Sequence, residues 1–208
     1  MVKQADLKTD RFYKAAKAEG YRSRSAFKLL QTSKKFKLIK PGDVVVDLGA
    51  APGGWSQVAH ELVGERGVVI SVDLQPIAGI EDVVMIKGDI TNEEETITAI
   101  KEALLSKGRA TVDVVISDVA PQLTGNKDLD QFRSFELSSA ALNIAVKLLK
   151  SNGDFVAKIF QGEYYNQFYK SVKRKFRDTR AYSPAASRKR SAEVYVVGKG
   201  YAKLSKTK

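Results

Sequence analysis

Val44-Val45-Val46-Asp47-Leu48-Gly49-Ala50-Ala51-Pro52-Gly53-Gly54-Trp55-Ser56-Gln57 reads as a buried strand that runs into a glycine-rich turn and then a helix. Three consecutive valines suit a parallel strand covered on both faces. Gly49, Gly53 and Gly54 let the backbone turn tightly and approach a ligand closely. Several nucleotide-cofactor families share such a loop, and its details separate them. A P-loop ends in Gly-Lys-Ser/Thr, whereas Gly54 is followed by Trp55-Ser56. A dinucleotide fingerprint needs G-x-G-x-x-G, and here Ala50-Ala51-Pro52 separates Gly49 from Gly53.

Outward from this loop, strands and helices alternate. Strands are expected at Val44–Leu48, Gly67–Asp73, Val83–Lys87, Val112–Ser117 and Asp154–Phe160. Helices are expected at Ser56–Val63, at Asn92–Ser106 with Thr91 as cap, at Gln131–Lys150 and at Tyr165–Phe176. Thr179–Tyr182 and Glu193–Val197 follow with no helix between them, so a hairpin would make the last strand antiparallel. The pattern implies an α/β fold, a doubly wound and mostly parallel sheet of about seven strands with helices on both faces. Two helices precede it, one near Arg11–Glu19 and one capped by Ser23 or Ser25 and ending before Pro41-Gly42. The 208 residues suit one domain over 1–200, including a basic helical extension at 1–40, then a basic flexible tail at 201–208.

The net charge of +11 is unevenly placed. Residues 1–40 hold 12 Lys/Arg against 3 Asp/Glu, residues 41–157 hold 9 against 18, and residues 158–208 hold 14 against 3. Basic ends mixed with aromatics (Phe12, Tyr13, Tyr21, Phe27; Tyr164, Tyr165, Tyr182) point to a nucleic acid partner. Arg11, Lys14, Lys17, Arg22, Arg24 and Arg188-Lys189-Arg190 are the expected phosphate contacts. With no cysteine and one histidine, His60, thiolate nucleophiles are excluded and a metal site is not expected. No apolar run approaches the roughly 18 to 20 residues of a membrane span, and the N-terminus lacks the apolar core of a signal peptide. The chain is read as cytoplasmic and monomeric.

Asp73, Asp89 and Asp118 each follow a strand, at the edge where open α/β sheets bind ligands. Asp73 can accept both hydroxyls of a ribose, and Asp89 an adenine amino proton. Each is also a residue type common in turns. Together with the loop they point to an adenosyl ligand.

This pattern resembles S-adenosylmethionine-dependent methyltransferases with a Rossmann-like fold. Asp47–Gln57, with Arg22-Ser23-Arg24-Ser25-Ala26-Phe27-Lys28-Leu29, Ser117-Asp118-Val119-Ala120-Pro121, Lys158-Ile159-Phe160-Gln161-Gly162 and Arg190-Ser191-Ala192-Glu193-Val194-Tyr195, resembles the FtsJ/RrmJ family of RNA ribose 2′-O-methyltransferases. The resemblance runs from about Tyr21 to Val197. It implies S-adenosyl-L-methionine as cofactor, with Gly53, Trp55, Asp73, Asp89 and Asp118 around it. It also implies a catalytic tetrad of Lys28, Asp118, Lys158 and Glu193. The implied substrate is RNA, with a uridine of large-subunit ribosomal RNA, free or in the subunit, as first candidate. A transfer RNA anticodon loop, a messenger RNA cap and a non-catalytic ribosome-assembly role are the alternatives.

The tetrad suits the chemistry. A ribose hydroxyl is a weak nucleophile that must be aligned with the methyl group and relieved of its proton. Lys158 is expected to accept or steer that proton, Lys28 to hold the target ribose or its phosphate, and the carboxylates to position them. Lys158 interrupts Phe155-Val156-Ala157-Lys158-Ile159-Phe160, where an unpaired charge would be costly. Trp55 is open to two readings, cofactor stacking or core packing. Tyr165, Phe168, Tyr169, Val172 and Phe176 suggest a base-stacking platform, although their helical spacing suits a core-facing stripe better.

Overall fold

The computed structural model of the chain describes residues 10–188 and 191–202. Helices α1 (Arg11–Ala18) and α2 (Ala26–Phe36) come first. Then follow β1 (Val44–Leu48), α3 (Gly54–Val63), β2 (Val68–Asp73), β3 (Val83–Lys87), α4 (Glu93–Ser106), β4 (Val112–Ser117) and α5 (Lys127–Leu148). The chain closes with β5 (Leu149–Phe160), α6 (Tyr165–Lys173), β6 (Phe176–Tyr182) and β7 (Glu193–Tyr201).

The strands form one sheet in the order β3-β2-β1-β4-β5-β7-β6. β1 to β5 pair in parallel, and β7 runs antiparallel to both β5 and β6. Among its described residues the β6–β7 connection contains no helix, so the chain returns alongside the strand it has just left and must run the other way. Strand order reverses between β1 and β4, which creates the crevice at the carboxyl ends where such sheets take ligands.

β1 is buried along its whole length, as three successive valines require. Alternation divides its side chains between two cores. Val44, Val46 and Leu48 join Ile70, Ile100, Ile144, Phe155 and Phe168 on the side of α4, α5 and α6. Val45 joins Leu29, Trp55, Val58, Val156, Tyr195 and Val197 on the side of α2 and α3. Each fully buried Leu, Ile or Val side chain contributes about 1.5–3 kcal/mol, so both helical layers are held firmly. No helix among the described residues is long and apolar enough to cross a membrane.

Several boundaries differ from those read in the sequence. α5 starts at Lys127 instead of Gln131, because the Asn126 side chain caps it by accepting from the amides of Asp128 and Leu129. α6 stops at Lys173, and Phe176 opens β6 and packs in the core. Thr91 does not cap α4: Asn92 stands at that position, and the Thr91 hydroxyl donates to Asp89. Ser25 precedes α2 without a side-chain capping bond, its hydroxyl lying 2.7 Å from that of Ser23. β7 runs on to Tyr201, which pairs with Phe176; residues 203–208, most of the expected tail, lie outside the described residues.

Candidate active site

Sheet order brings the tetrad together. β4, β5 and β7 are neighbours, so Asp118 after β4, Lys158 within β5 and Glu193 at the start of β7 meet at one edge. Glu193 and Tyr195 alternate with Val194 and face α2, whose first turn carries Lys28. Lys28 Nζ lies 2.8 Å from Glu193 Oε2, and Lys158 Nζ lies 3.7 Å from Glu193 Oε1 and 3.0 Å from Asp118 Oδ1. Lys158 also donates to the Asp118 carbonyl at 2.7 Å. The result is a chain of alternating charge, Lys28–Glu193–Lys158–Asp118, with no net charge.

Neither lysine is a surface residue: Lys28 is 8 % exposed and Lys158 5 %. Such burial is tolerated because each ammonium has a carboxylate in contact. Burial pushes the Glu193 carboxyl up, but the charges of Lys158 and Lys28 overcome that and hold it at about 2.

Tyr195 belongs to this cluster and was missed in the sequence reading. Its hydroxyl donates to Asp118 Oδ1 at 2.6 Å, so Asp118 is gripped between Tyr195 and Lys158. Burial, with the Asp118 and Glu193 charges, pushes the Tyr195 phenol well above its ordinary value, which keeps it a donor. The available signal was the spacing Glu193-x-Tyr195, which puts both side chains on one face of a strand.

Trp55 is the clearest change to the expected cofactor contacts. The family resemblance implies a place against the cofactor; the structure buries it to 2 % exposure, the core packing of its two readings. Its indole N–H donates to the Ser25 carbonyl at 2.8 Å, and its ring stacks on Tyr195 at 5.6 Å. Trp55 therefore supports the tetrad from beneath, because a large apolar ring beside two packed helices is worth more inside than at a rim.

The loop glycines are also used differently from the sequence reading. A Cβ at Gly49 would lie 2.5 Å from Val119 Cβ, one at Gly53 2.8 Å from the Arg22 guanidinium, and one at Gly54 2.3 Å from Ser23 Oγ. Gly49 and Gly53 also have φ of 75° and 107°, which favour glycine. The loop thus makes room for the Arg22-Ser23 segment and for the residue after Asp118.

Asp73 and Asp89 stand at the ends of β2 and β3, both half-buried. Asp73 accepts from the amides of Ala51 and Gln75, tying the glycine loop to the end of β2. Asp89 accepts from the Thr91 amide and hydroxyl with the same oxygen. Both perform the turn roles that aspartates commonly perform, and both keep lone pairs for a further donor. An acceptor at each of these strand ends fits the hydroxyls and amino group of an adenosine.

Arg22 and Arg24 are corrected as RNA contacts, because backbone carbonyls and a carboxylate occupy them. Arg22 donates to the carbonyls of Pro52, Ala78 and Gly79, bridging the glycine loop and the β2–β3 connection. Arg24 pairs with Asp10, the cap of α1, and donates to the Ala186 carbonyl. Arg22→Ala is expected to weaken cofactor affinity about 10-fold, given roughly 1.5–3 kcal/mol for hydrogen bonds from a charged donor. Calorimetric titration with cofactor and filter binding of RNA would check this. Loss of RNA affinity with cofactor affinity intact would return Arg22 to the phosphate footprint.

Arg11, Lys14 and Lys17 remain exposed on α1. Arg188 and Lys127 line a cavity of about 620 Å³ that also touches Glu193 and Gln161. Lys189 and Arg190 lie outside the described residues. No cluster of three or more metal-ligating side chains occurs among the described residues.

Asp47, at the end of β1, is fully buried. Its Oδ2 accepts from Ser56, whose hydroxyl accepts in turn from Ser71, and its Oδ1 has no partner among the described residues. Burial, opposed by the Ser56 bond and reinforced by the charges of Asp118 and Asp73, pushes its carboxyl up to about 7. A raised folded value means that the acid form is preferred in the fold. The associated stability is present below about pH 4 and is lost as pH rises through 7, on the order of 4 kcal/mol at most. Asp47→Asn is expected to match wild type near pH 4 and to exceed it in thermal stability at pH 8. Parallel melting curves across that range would rule out the raised value.

A doubly wound sheet with this loop at its switch point and acidic ends on β2, β3 and β4 defines the α/β methyltransferase class. Within that class the chain belongs to the FtsJ-like methyltransferase family, whose model matches residues 21–201. It is 55 % identical over 190 residues to a Methanothrix thermoacetophila protein named Ribosomal RNA large subunit methyltransferase E, covering 91 % of this chain and 72 % of that one. A protein of the same name from Methanocaldococcus jannaschii is 50 % identical over 196 residues, covering 93 % and 79 %. Among solved structures, a Plasmodium falciparum protein described as a ribosomal RNA methyltransferase superposes with a TM-score of 0.77 at 27 % identity. It covers 87 % of this chain and 98 % of the other.

Proposed function

We propose that this chain transfers a methyl group from S-adenosyl-L-methionine to a ribose 2′-hydroxyl of large-subunit ribosomal RNA. The observation that carries the proposal is the buried Lys28–Glu193–Lys158–Asp118 chain beside a cavity whose rim holds Arg188 and Lys127. The names of the relatives support the choice of RNA.

The cofactor supplies a methyl group on a sulfonium, so the protein need only align, shield and deprotonate the acceptor. Asp73 and Asp89 would hold its adenosine, with the Gly53 backbone beside them. Lys158 is fixed by Asp118 and Glu193, and its three contacts are all to acceptors. Two of its N–H groups bond Asp118, and Glu193 at 3.7 Å lies beyond hydrogen-bond length, so the third N–H holds the hydroxyl oxygen with a lone pair facing the methyl group. Asp118 Oδ2, which has no partner among the described residues, then takes the proton as the new bond forms. Lys28 fixes Glu193 and adds positive charge near the ribose phosphate. Arg11, Lys14, Lys17 and Arg188 hold the RNA backbone by charge, which fixes position without reading sequence.

The test offers methyl-labelled cofactor with naked large-subunit RNA, isolated large subunits and transfer RNA. Sites are then mapped by resistance to alkaline cleavage. Label in large-subunit RNA is expected. Label only in transfer RNA would move the substrate, and binding without transfer to any of them would leave the assembly-factor reading. Asp73→Ala is expected to weaken cofactor affinity at least about 10-fold, consistent with loss of hydrogen bonds to a charged group, and to change RNA affinity little.

A further inference from the structure

Beyond the ends of β5 and β7, a cavity of about 480 Å³ opens on the face of the sheet opposite the tetrad. Val194 lines it while its neighbour Glu193 faces the tetrad, as alternation along a strand demands. Gln161 lines both this cavity and the one beside Glu193, so the two adjoin across one residue. Tyr165 from the start of α6 supplies a half-buried ring, and Ala181 and Ser183, at and just past the end of β6, also line the cavity. The Tyr182 ring lies instead on the α2 face, against Phe36 at 5.4 Å and Lys35 Nζ at 4.4 Å from its centroid, in register with Tyr195. Among the described residues, the Gln161 amide and the Ser183 hydroxyl make no side-chain hydrogen bond to protein.

We propose that this cavity receives the base of an unpaired nucleotide next to the one that is methylated. The proposal rests on the RNA-methylating reading above and names a second subsite for the same substrate. The Tyr165 ring offers stacking to any flat heterocycle, and an amide and a hydroxyl can bond its edge. The volume falls in the range of roughly 300–1,000 Å³ usual for small-ligand pockets. Among the described residues no cation lines the cavity itself, which fits a neutral base better than a phosphate. The arrangement also explains why Tyr165 lies at the rim while Phe168, Val172 and Phe176, on the same expected stripe, pack in the core.

The test uses short RNAs spanning the methylated position with an abasic residue at each neighbouring position in turn. One substitution is expected to raise KM about 5- to 150-fold, the range for stacking one base, with kcat little changed. Tyr165→Ala should raise KM for intact RNA similarly and add no further loss to the abasic RNA, whereas Tyr165→Phe should retain the abasic penalty. If Tyr165→Ala fails to bind cofactor and so has not folded, Gln161→Ala, at an exposed side chain, takes its place in the same cycle. Penalties that multiply independently, or no position-dependent abasic effect, would overturn the proposal. A binding arm separates this from failure of the enzymatic reading. 2-Aminopurine at that position should be quenched by wild type and not by Tyr165→Ala, with or without transfer; no quenching at any neighbouring position rejects the subsite.

Discussion

Lys158→Ala is expected to lower methyl transfer by about 10²-fold or more, the cost of a hydroxyl left out of line with the methyl group, while changing cofactor affinity only a few-fold. The geometry makes this result interpretable. Removing Lys158 leaves Asp118 with the Tyr195 hydroxyl at 2.6 Å and Glu193 with Lys28 at 2.8 Å, so neither carboxylate is stranded. The fold should therefore survive, and single-turnover transfer with saturating cofactor would report on the hydroxyl alone. Transfer within a few-fold of wild type would remove Lys158 from the reaction. Lys158→Arg should remain poor, because a planar fork cannot reproduce a compact ammonium held by Asp118 and Glu193.

Glu193→Ala is expected to act first on stability. Lys28, 8 % exposed, would lose its only carboxylate partner among the described residues and retain the Tyr195 ring, whose centroid is 5.7 Å from Nζ. Breaking a buried ion pair from one side costs about 3–5 kcal/mol; the partner that Lys158 keeps in Asp118 places this variant at the lower end. At roughly 2–4 °C per kcal/mol for a chain of this size, the melting temperature should fall by about 6–12 °C. The pH dependence has a definite sign. Glu193 is held at about 2, below its ordinary 4.5, so its contribution is present above about pH 4.5 and is lost as pH falls toward 2. The gap between wild type and Glu193→Gln should therefore close over that window. A gap that persists at pH 2 would show that Glu193 acts through packing rather than charge.

Much of the fold is legible because its signals are local. Val44–Val46 with a following glycine turn, and the alternation of later strands and helices, reflect backbone sterics and side-chain periodicity within a few residues. The four tetrad positions were nominated from motifs, and the structure brings all four into contact. The errors concern what lies opposite a side chain in space. Arg22 and Arg24 carry the same charge as Lys14 and Lys17, and only the folded chain shows carbonyls at the first pair and solvent at the second. Trp55 was ambiguous because an indole suits a rim or a core, and Tyr195 beneath it decides for the core. The start of α5 was missed because Asn126 caps a turn that precedes the apolar pattern.

By itself, then, the sequence determined a parallel sheet with a ligand edge after β1, since strand burial and glycine turns are properties of short segments. The tertiary structure alone decided that β7 lies between β5 and β6, setting Glu193 beside Lys158 and under Lys28. It also decided that Arg22 braces the loop and that two buried lysines share two carboxylates. Strand order and charge pairing join residues far apart in the chain, and no local periodicity encodes which of them will meet.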